Sequence, residues 1–295
     1  MIWASSDFGE TWERTGTFTD GKNEINFFTV HCDKKAGDIY LLYATEANNG
    51  DSCVATIWMV TTSNQGKKWT EPMRLNADDI SCARVTASMT SFEDGKLWSI
   101  WTDDNKFLVD RTYDGKTWLR NDISVLADYK GGMEFGVPRM IMDNSRSKLR
   151  GMIYMSGVSP TDSTTVAWVR KSGNLGDSWT GNVAVDPSYE GGQYYPALSI
   201  DMSVGSLYAA WLGVKQDSTQ AFFAHSLDAG QTFKPVTLSS WPSANIDIEK
   251  LGQPVDIAAY DEKILITWIE IEGDELVHKA VSYKQEDLFD LSRKK

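Results

Sequence analysis

The chain is poor in the residues that usually announce chemistry. Its 295 residues include three cysteines and three histidines, with no CxxC pair and no histidine spacing that would hold zinc. Cys32, Cys53 and Cys82 are too few for a disulfide framework, and His31, His225 and His278 read as strand residues rather than ligands. No metal and no other cofactor is expected. There are 8 prolines against 12 tryptophans and no low-complexity tract. No apolar run approaches the roughly 18 residues of a membrane helix, and no basic stretch followed by an apolar one marks a leader, so membrane insertion is not expected. Positive charge is also short: 29 Lys and Arg face 41 Asp and Glu, for a net charge of −12. That balance disfavours nucleic acid and anionic membranes as partners. It leaves room for a small anionic ligand, because salt screens a distant field beyond about 10 Å and a local arginine cluster can override it.

What is present is a repeat. SSDFGETW (5–12) recurs as TSNQGKKW (62–69), TYDGKTW (112–118), SGNLGDSW (172–179) and SLDAGQTF (226–233), with a degraded sixth copy, SYKQEDLF (282–289). The closing aromatics fall at Trp12, Trp69, Trp118, Trp179, Phe233 and Phe289, a period of about 50 to 60 residues that points to a propeller or solenoid. Between copies one order of runs repeats. A first run opens near a proline in three copies, as in VPRMIMD, YPALSID and QPVDIAAY. DIYLLYAT, KLWSIWTD, SLYAAWLG and KILITWIE exemplify the second run, and VATIWMVTTS, TVAWVRKS and QAFFAHS the third. These runs are short, rich in β-branched and aromatic residues, and bounded by Gly, Asp, Asn and Ser, which is strand chemistry. The nearly continuous apolar second runs suit strands covered on both faces. A weaker strand after each copy, such as EPMRL or KPVTL, completes a four-stranded antiparallel unit, and such units repeated radially make a β-propeller.

Within the repeated box, the Ser/Thr hydroxyl and the Asp/Asn side chain can accept amide hydrogens across a turn, Gly supplies φ > 0, and the closing ring is expected to wedge between neighbouring sheets. Asn64 and Asn174 stand where Asp7 does, so the role needs an acceptor and not a charge. A catalytic acid or nucleophile would not survive that exchange, and a calcium loop would need more oxygens per turn.

The pattern S/T-x-D/N-x-G-x-T/S-W, once per blade over the whole chain, resembles the Asp-box (bacterial neuraminidase repeat) of the sialidase-like β-propellers. The resemblance implies an all-β fold: a single propeller domain over 1–295, built of four-stranded blades, six in number with one incomplete, and starting mid-blade. It also implies a secreted or cell-surface setting. In that family the boxes lie at the blade periphery, so a site is sought at the central channel mouth, among the loops that precede first strands and follow second strands.

Those loops hold the candidates. Arg84 and Arg139 occupy equivalent first-strand positions in adjacent units and could clamp a carboxylate bidentately. By resemblance to the family's enzymes, Tyr194 or Tyr195 with Glu134 or Glu190 would form the nucleophilic pair, and Asp78, Asp79 or Asp103 would donate the proton. The family's Phe/Tyr-Arg-Ile/Leu-Pro motif is absent, and in VPRM the arginine follows its proline. Two readings therefore stand: a glycoside hydrolase, exo-acting on sialic acid or another acidic sugar, and a non-catalytic propeller that binds a glycan or a protein partner. A polysaccharide lyase is a weaker third, since no histidine falls at the channel mouth. Cys53 and Cys82 lie on the same face and could bridge, which would leave Cys32 free. The runs give 21 strands, where six closed blades need 24 and five need 20, so the chain is read as a fragment, as five blades closed by the N-terminal segment, or as six with one irregular.

Overall fold

A computed structural model describes residues 2–4, 10–19, 25–33, 37–49, 52–81, 85–92, 95–103, 106–114, 116–119, 123–126, 138–242, 253–273 and 275–287. Apart from three helical residues at 285–287 and one at 95, the regular structure among them is β. The chain divides into two compact units, residues 1–127 and 128–295.

In the first unit, β1 (Ile2–Ala4) pairs with β2 (Glu13–Gly16), the half-unit expected ahead of the first full repeat. β3 (Ile25–Cys32), β4 (Ile39–Asn49), β5 (Ser52–Thr62) and β6 (Met73–Arg74) follow in sheet order, with β7 (Ile80–Ser81) also on β5. The strand β7 was not expected from sequence. β8 (Ala87–Phe92), β9 (Lys96–Asp103), β10 (Lys106–Thr112) and β11 (Ile123–Leu126) make a second four-stranded meander. β3 packs on β8 of this next sheet, where His31 Nε2 lies 2.8 Å from Ser91 Oγ.

The second unit holds three sheets. β12 (Arg139–Met142), β13 (Ile153–Pro160), β14 (Thr165–Ser172) and β15 (Val183–Ala184) form one. The next contains β16 (Gly192–Ile200), β17 (Leu207–Lys215), β18 (Ser218–Ser226) and β19 (Lys234–Pro242). The last is three-stranded: β20 (Val255–Tyr260), β21 (Lys263–Glu272) and β22 (Glu275–Lys284). First strands lie side by side, β16 packing against both β12 and β20. At their far ends the hairpin turns interlock. Asp201, fully buried, takes the Glu262 amide at 2.6 Å, and Ser199 Oγ takes the Ala259 amide at 2.9 Å. Apolar clusters fill the space between sheets, with Trp211, Tyr208, Phe223 and Leu207 at 1% exposure or less.

The boxes are tight turns built as their chemistry requires. Asn174 Oδ1 receives the Ser172 hydroxyl at 2.9 Å and the Ser178 amide at 3.0 Å, while the Gly176 amide reaches Ser172 Oγ at 2.9 Å. Asp228 repeats the set, taking the Ser226 hydroxyl at 2.8 Å and the Thr232 amide at 2.9 Å. Leu175 and Ala229 adopt φ of 61°, each followed by a glycine at φ of 91° or 72°. Two consecutive left-handed residues close the turn, and glycine carries the second at least cost. Burial of the closing ring is not uniform. Trp118 is 5% exposed, whereas Trp12 is 59% exposed, so the expected wedge is not formed at the first box. The degraded sixth copy makes no such turn, because β22 runs on through Lys284 into helical residues 285–287.

Cys53 is disulfide-bonded and Cys32 is a free, exposed thiol; Cys82 lies outside the described residues. All three histidines lie in strands.

Candidate functional site

The second unit concentrates unusual backbone at the start of β16. Tyr194 pairs with Leu212 but the next registered pair is Ala197 with Ala210, so Tyr195 and Pro196 form a bulge. Proline cannot donate to a ladder and is tolerated at such a break. Tyr195 adopts φ of 55°, a left-handed conformation that a bulky aromatic rarely takes unless its surroundings impose it. The surroundings are visible. Ser156 Oγ on β13 donates to Pro196 O at 3.0 Å. From the other side Gln253 Nε2 donates to Tyr195 O at 3.3 Å and to Val255 O at 2.8 Å. Just before the bulge, Gln193 is buried. Its Nε2 donates to Asp186 O at 2.6 Å, and its Oε1 receives the Ala167 amide at 3.2 Å.

These contacts fix two tyrosines near the start of β16. Tyr195 is buried and Tyr194 half-buried, with ring centroids 6.5 Å apart. Arg139 opens β12 and pairs with Ser156, the residue that bonds the bulge. Its side chain is half-buried, and its Nε is buried without a hydrogen-bond partner among the described residues. Nearby Tyr189 has its phenol pushed up to about 12 by burial first, and then by the charge of Asp186 and by Tyr194, so it stays protonated near neutrality.

Glu190 is placed differently from the sequence expectation. Its side chain is 78% exposed and bonded to Lys215 Nζ at 2.6 Å. That hydrogen bond, with the ammonium charge, holds the carboxyl below the ordinary glutamate range. A carboxylate committed outward to a lysine is a poor partner for a tyrosine nucleophile. Glu134 lies outside the described residues, as does Arg84.

The proton-donor candidates sit in the first unit, where Asp79 and Asp103 converge on β7. Asp79 pairs with Arg74 at 2.8 Å, and Asp103 Oδ1 receives the Ser81 amide at 3.1 Å. Asp78 is exposed and gives its carbonyl to Asn76 Nδ2 at 2.6 Å. Asp79 and Asp103 thus each have a structural task.

Sequence reasoning missed Gln193 and Gln253, the amides that brace the bulge. Both stand in a shared signal, GQYYP and GQPVD: a Gly-Gln pair shortly before a first-strand proline. It also missed Glu270, 8% exposed on β21, whose Oε1 receives Trp268 Nε1–H at 2.7 Å. Among the described residues no cluster of His, Cys, Asp and Glu could hold a metal ion, and no helix is long and apolar enough to cross a membrane.

Solved structures resemble the chain over most of its length. A Dyadobacter fermentans protein described as of unknown function superposes with a TM-score of 0.61 and 16% identity, over 90% of this chain and 80% of that one. Phage phi92 endosialidase gives 0.57 with 10% identity, over 96% and 62%. An ulvan lyase of a new polysaccharide lyase family, bound to -[GlcA(1-4)Rha3S]-, gives 0.54 with 13% identity, over 95% and 70%. The fold is propeller-like. Identity this low shows the fold alone, because one propeller scaffold carries many functions. No family model matches the chain, and no curated protein matches it.

Proposed function

We propose that this chain is a carbohydrate-interacting propeller that holds an acidic sugar at the β12–β16 mouth. Its sheets are read as six blades, with β1–β2 and β20–β22 the incomplete ones. The observation that carries the proposal is Arg139: a guanidinium whose buried Nε has no acceptor among the described residues, next to a braced bulge bearing two tyrosines. A buried donor left unpaired costs about 1–3 kcal/mol, and a carboxylate that reached the guanidinium would offset that cost. Half-buried Tyr194, on the neighbouring first strand, can offer an apolar face and a polar tip to a pyranose. The neighbours of similar fold include an endosialidase and an ulvan lyase, which is compatible with an acidic sugar.

Binding without turnover is favoured over hydrolysis, because Glu190 is engaged by Lys215 and Asp79 by Arg74. Hydrolysis by an exo-acting sialidase-like route is the second reading, and half-buried Tyr194 at the same mouth is what favours it. Calorimetric titration with sialic acid and with glucuronate tests the first. Arg139→Ala is expected to weaken binding at least tenfold, about 1.4 kcal/mol, and Arg139→Lys to recover part of it, since the planar fork is lost. Wild-type protein that binds neither sugar would sink the proposal. Release of fluorophore from a fluorogenic sialoside, abolished by Tyr194→Phe, would replace it with the second reading.

A further inference from the structure

In the second unit β15 lies on the outer edge of β14 and β19 on that of β18, whereas β22 carries no further strand among the described residues. The backbone groups that β22 turns to this edge follow from its hairpins. Glu272 faces Glu275 across two residues, and Tyr260 faces Lys263 in the same way. A two-residue hairpin closes on a hydrogen-bonded pair, and such pairs alternate along the ladder. Glu275, Val277, Lys279, Val281 and Tyr283 therefore exchange backbone bonds with β21. The Gln285 amide continues that series, reaching Glu262 O at 2.8 Å. Leu276, His278, Ala280, Ser282 and Lys284 point their N–H and C=O groups the other way. The Lys284 amide is taken back by Asp287 Oδ2 at 3.2 Å, so the edge is closed at that end and open from 276 to 282.

An open row of backbone donors and acceptors is a template for another strand. Lysines often block such edges, but here they are occupied: Lys279 Nζ lies 2.6 Å from Glu272 Oε1, and Lys284 Nζ lies 3.5 Å from Glu286 Oε1. We propose that the occupant is a second copy of this chain. The two β22 strands pair antiparallel about a two-fold axis at Ala280, joining two three-stranded sheets into one. A two-fold antiparallel pair requires one residue to face itself, and the side chains select which. Centring on Lys279 sets two ammonium groups face to face, and centring on Val281 sets His278 against Lys284. Centring on Ala280 brings the smallest side chain of the strand against itself and His278 against Ser282. Lys279 then faces Val281, Val277 faces Tyr283, and no like charges meet. Val281 and Tyr283 are half-buried at the margin of the apolar cluster, and Tyr283 stacks on Phe223 at 6.1 Å. The copy's Val277 would extend that cover over Tyr283. This inference is independent of the Arg139 reading.

Sedimentation velocity and amide hydrogen exchange on the full chain, over a dilution series, test the pairing. Wild type is expected to pass from the mass of one chain to that of two as concentration rises. The amides of His278, Ala280 and Ser282 slow in step, while those of Val277, Lys279 and Val281 are protected by β21 at every concentration. Ser282→Pro removes an amide that β21 does not use, so the monomer keeps its melting temperature. Two inter-chain bonds are lost by symmetry, and the dimer dissociation constant rises about tenfold. Ala280→Lys sets two ammonium groups opposite each other and also weakens the dimer, and mixing it with Ala280→Glu restores association. The charge pair carries the test if the proline variant fails to fold. A wild type with the mass of one chain at every concentration overturns the proposal. So does a dimer whose His278, Ala280 and Ser282 amides exchange as fast as in the monomer, since the contact then lies elsewhere. Protection of those amides in a monomer overturns it as well, because the chain itself then covers the edge. A mixture of Ala280→Lys and Ala280→Glu that associates no better than either alone refutes the two-fold at Ala280. Arg139→Ala leaves the dimer unchanged, so failure of sugar binding and failure of pairing are read separately.

Discussion

Sheets β16–β19 and β20–β22 are neighbours built to one plan, yet they are covered differently. In β17 seven consecutive residues, Leu207 to Gly213, are buried. In β21 burial alternates, with Ile264, Ile266 and Trp268 inside and Lys263, Leu265 and Thr267 outside. The first pattern belongs to a strand sandwiched between two sheets, the second to a strand with one wet face. The sequences carry the difference: LYAAWLG has no charge, while KILITWIEIE places Lys263 and Thr267 on the outer side. A middle strand covered on both faces was expected in every unit, and β21 corrects that expectation.

The largest effect should come from emptying the doubly covered strand. Trp211 is fully buried and stacks on Phe222 at 5.4 Å. Trp211→Ala is expected to destabilise the second unit by about 3–5 kcal/mol, whereas an exposed large-to-small change costs well under ~1 kcal/mol. Leu265→Ala on β21, 47% exposed, supplies that contrast. Urea denaturation of both variants checks it. Equal losses would mean that the outer face of β21 is covered in solution, and the contrast between the two sheets would fail.

Much of the architecture was legible because it rests on repetition. The boxes dictate turns through side-chain acceptors two residues after the hydroxyl, and runs of β-branched and aromatic residues between them can only be strands. Even the half-unit ahead of the first full repeat was readable, from a box at 5–12 that precedes the first full set of strand runs. The site was far less legible. Tyr194, Tyr195 and Arg139 stand out as candidates because they lie where first strands begin, but the residues that position them are neutral amides and a serine. Gln193, Gln253 and Ser156 act through backbone carbonyls and amides 26 to 58 residues away in sequence or more locally. A linear reading cannot see such pairings, because the register that creates them is set by a bulge. Charged residues misled for the complementary reason: Glu190 looked reactive from its position, and only the fold reveals that Lys215 takes it.

A second contrast lies within the first unit, between covered and open positions on β3. His31 is set against Ser91 of the adjoining sheet, whereas Phe28 on the same strand is 68% exposed. Burial lowers the His31 pKa to about 4, against the pull of Asp33. The folded state therefore binds fewer protons than the unfolded chain between its ordinary value near 6.5 and 4, and stability rises with pH across that window. Each unit of separation corresponds to about 1.4 kcal/mol. On acidification, first-unit stability should begin to fall below pH ~6.5 and stop falling near the folded pKa. His31→Gln should remove this component, leaving a flatter melting-temperature profile from pH ~6.5 to ~4. An unchanged profile would show that His31 is hydrated in solution.

The smallest expected effect separates two boxes that share one geometry. Asn174 and Asp228 accept the same hydroxyl and amides, one without charge and one with it. Burial raises the Asp228 pKa, but the Thr232 hydroxyl and amide, then Ser226 and Gln231, outweigh it and bring the carboxyl to about 2. A carboxyl lowered in the fold contributes stability in full above its unfolded value near 4, and that contribution is lost as pH falls through about 2. Because the side chain is largely solvated, the amount is on the order of 1 kcal/mol at most after screening. Asp228→Asn should therefore leave stability at pH ~7 within about 1 kcal/mol and remove this part of the loss between pH ~4 and ~2, making the Phe233 box behave as the Trp179 box does. Asp228→Ala should cost about 1–2 kcal/mol at neutral pH, as loss of a turn-capping acceptor does. If Asn cost as much as Ala, the charge itself would be doing the holding, and the interchange of Asn and Asp across the boxes would need another explanation.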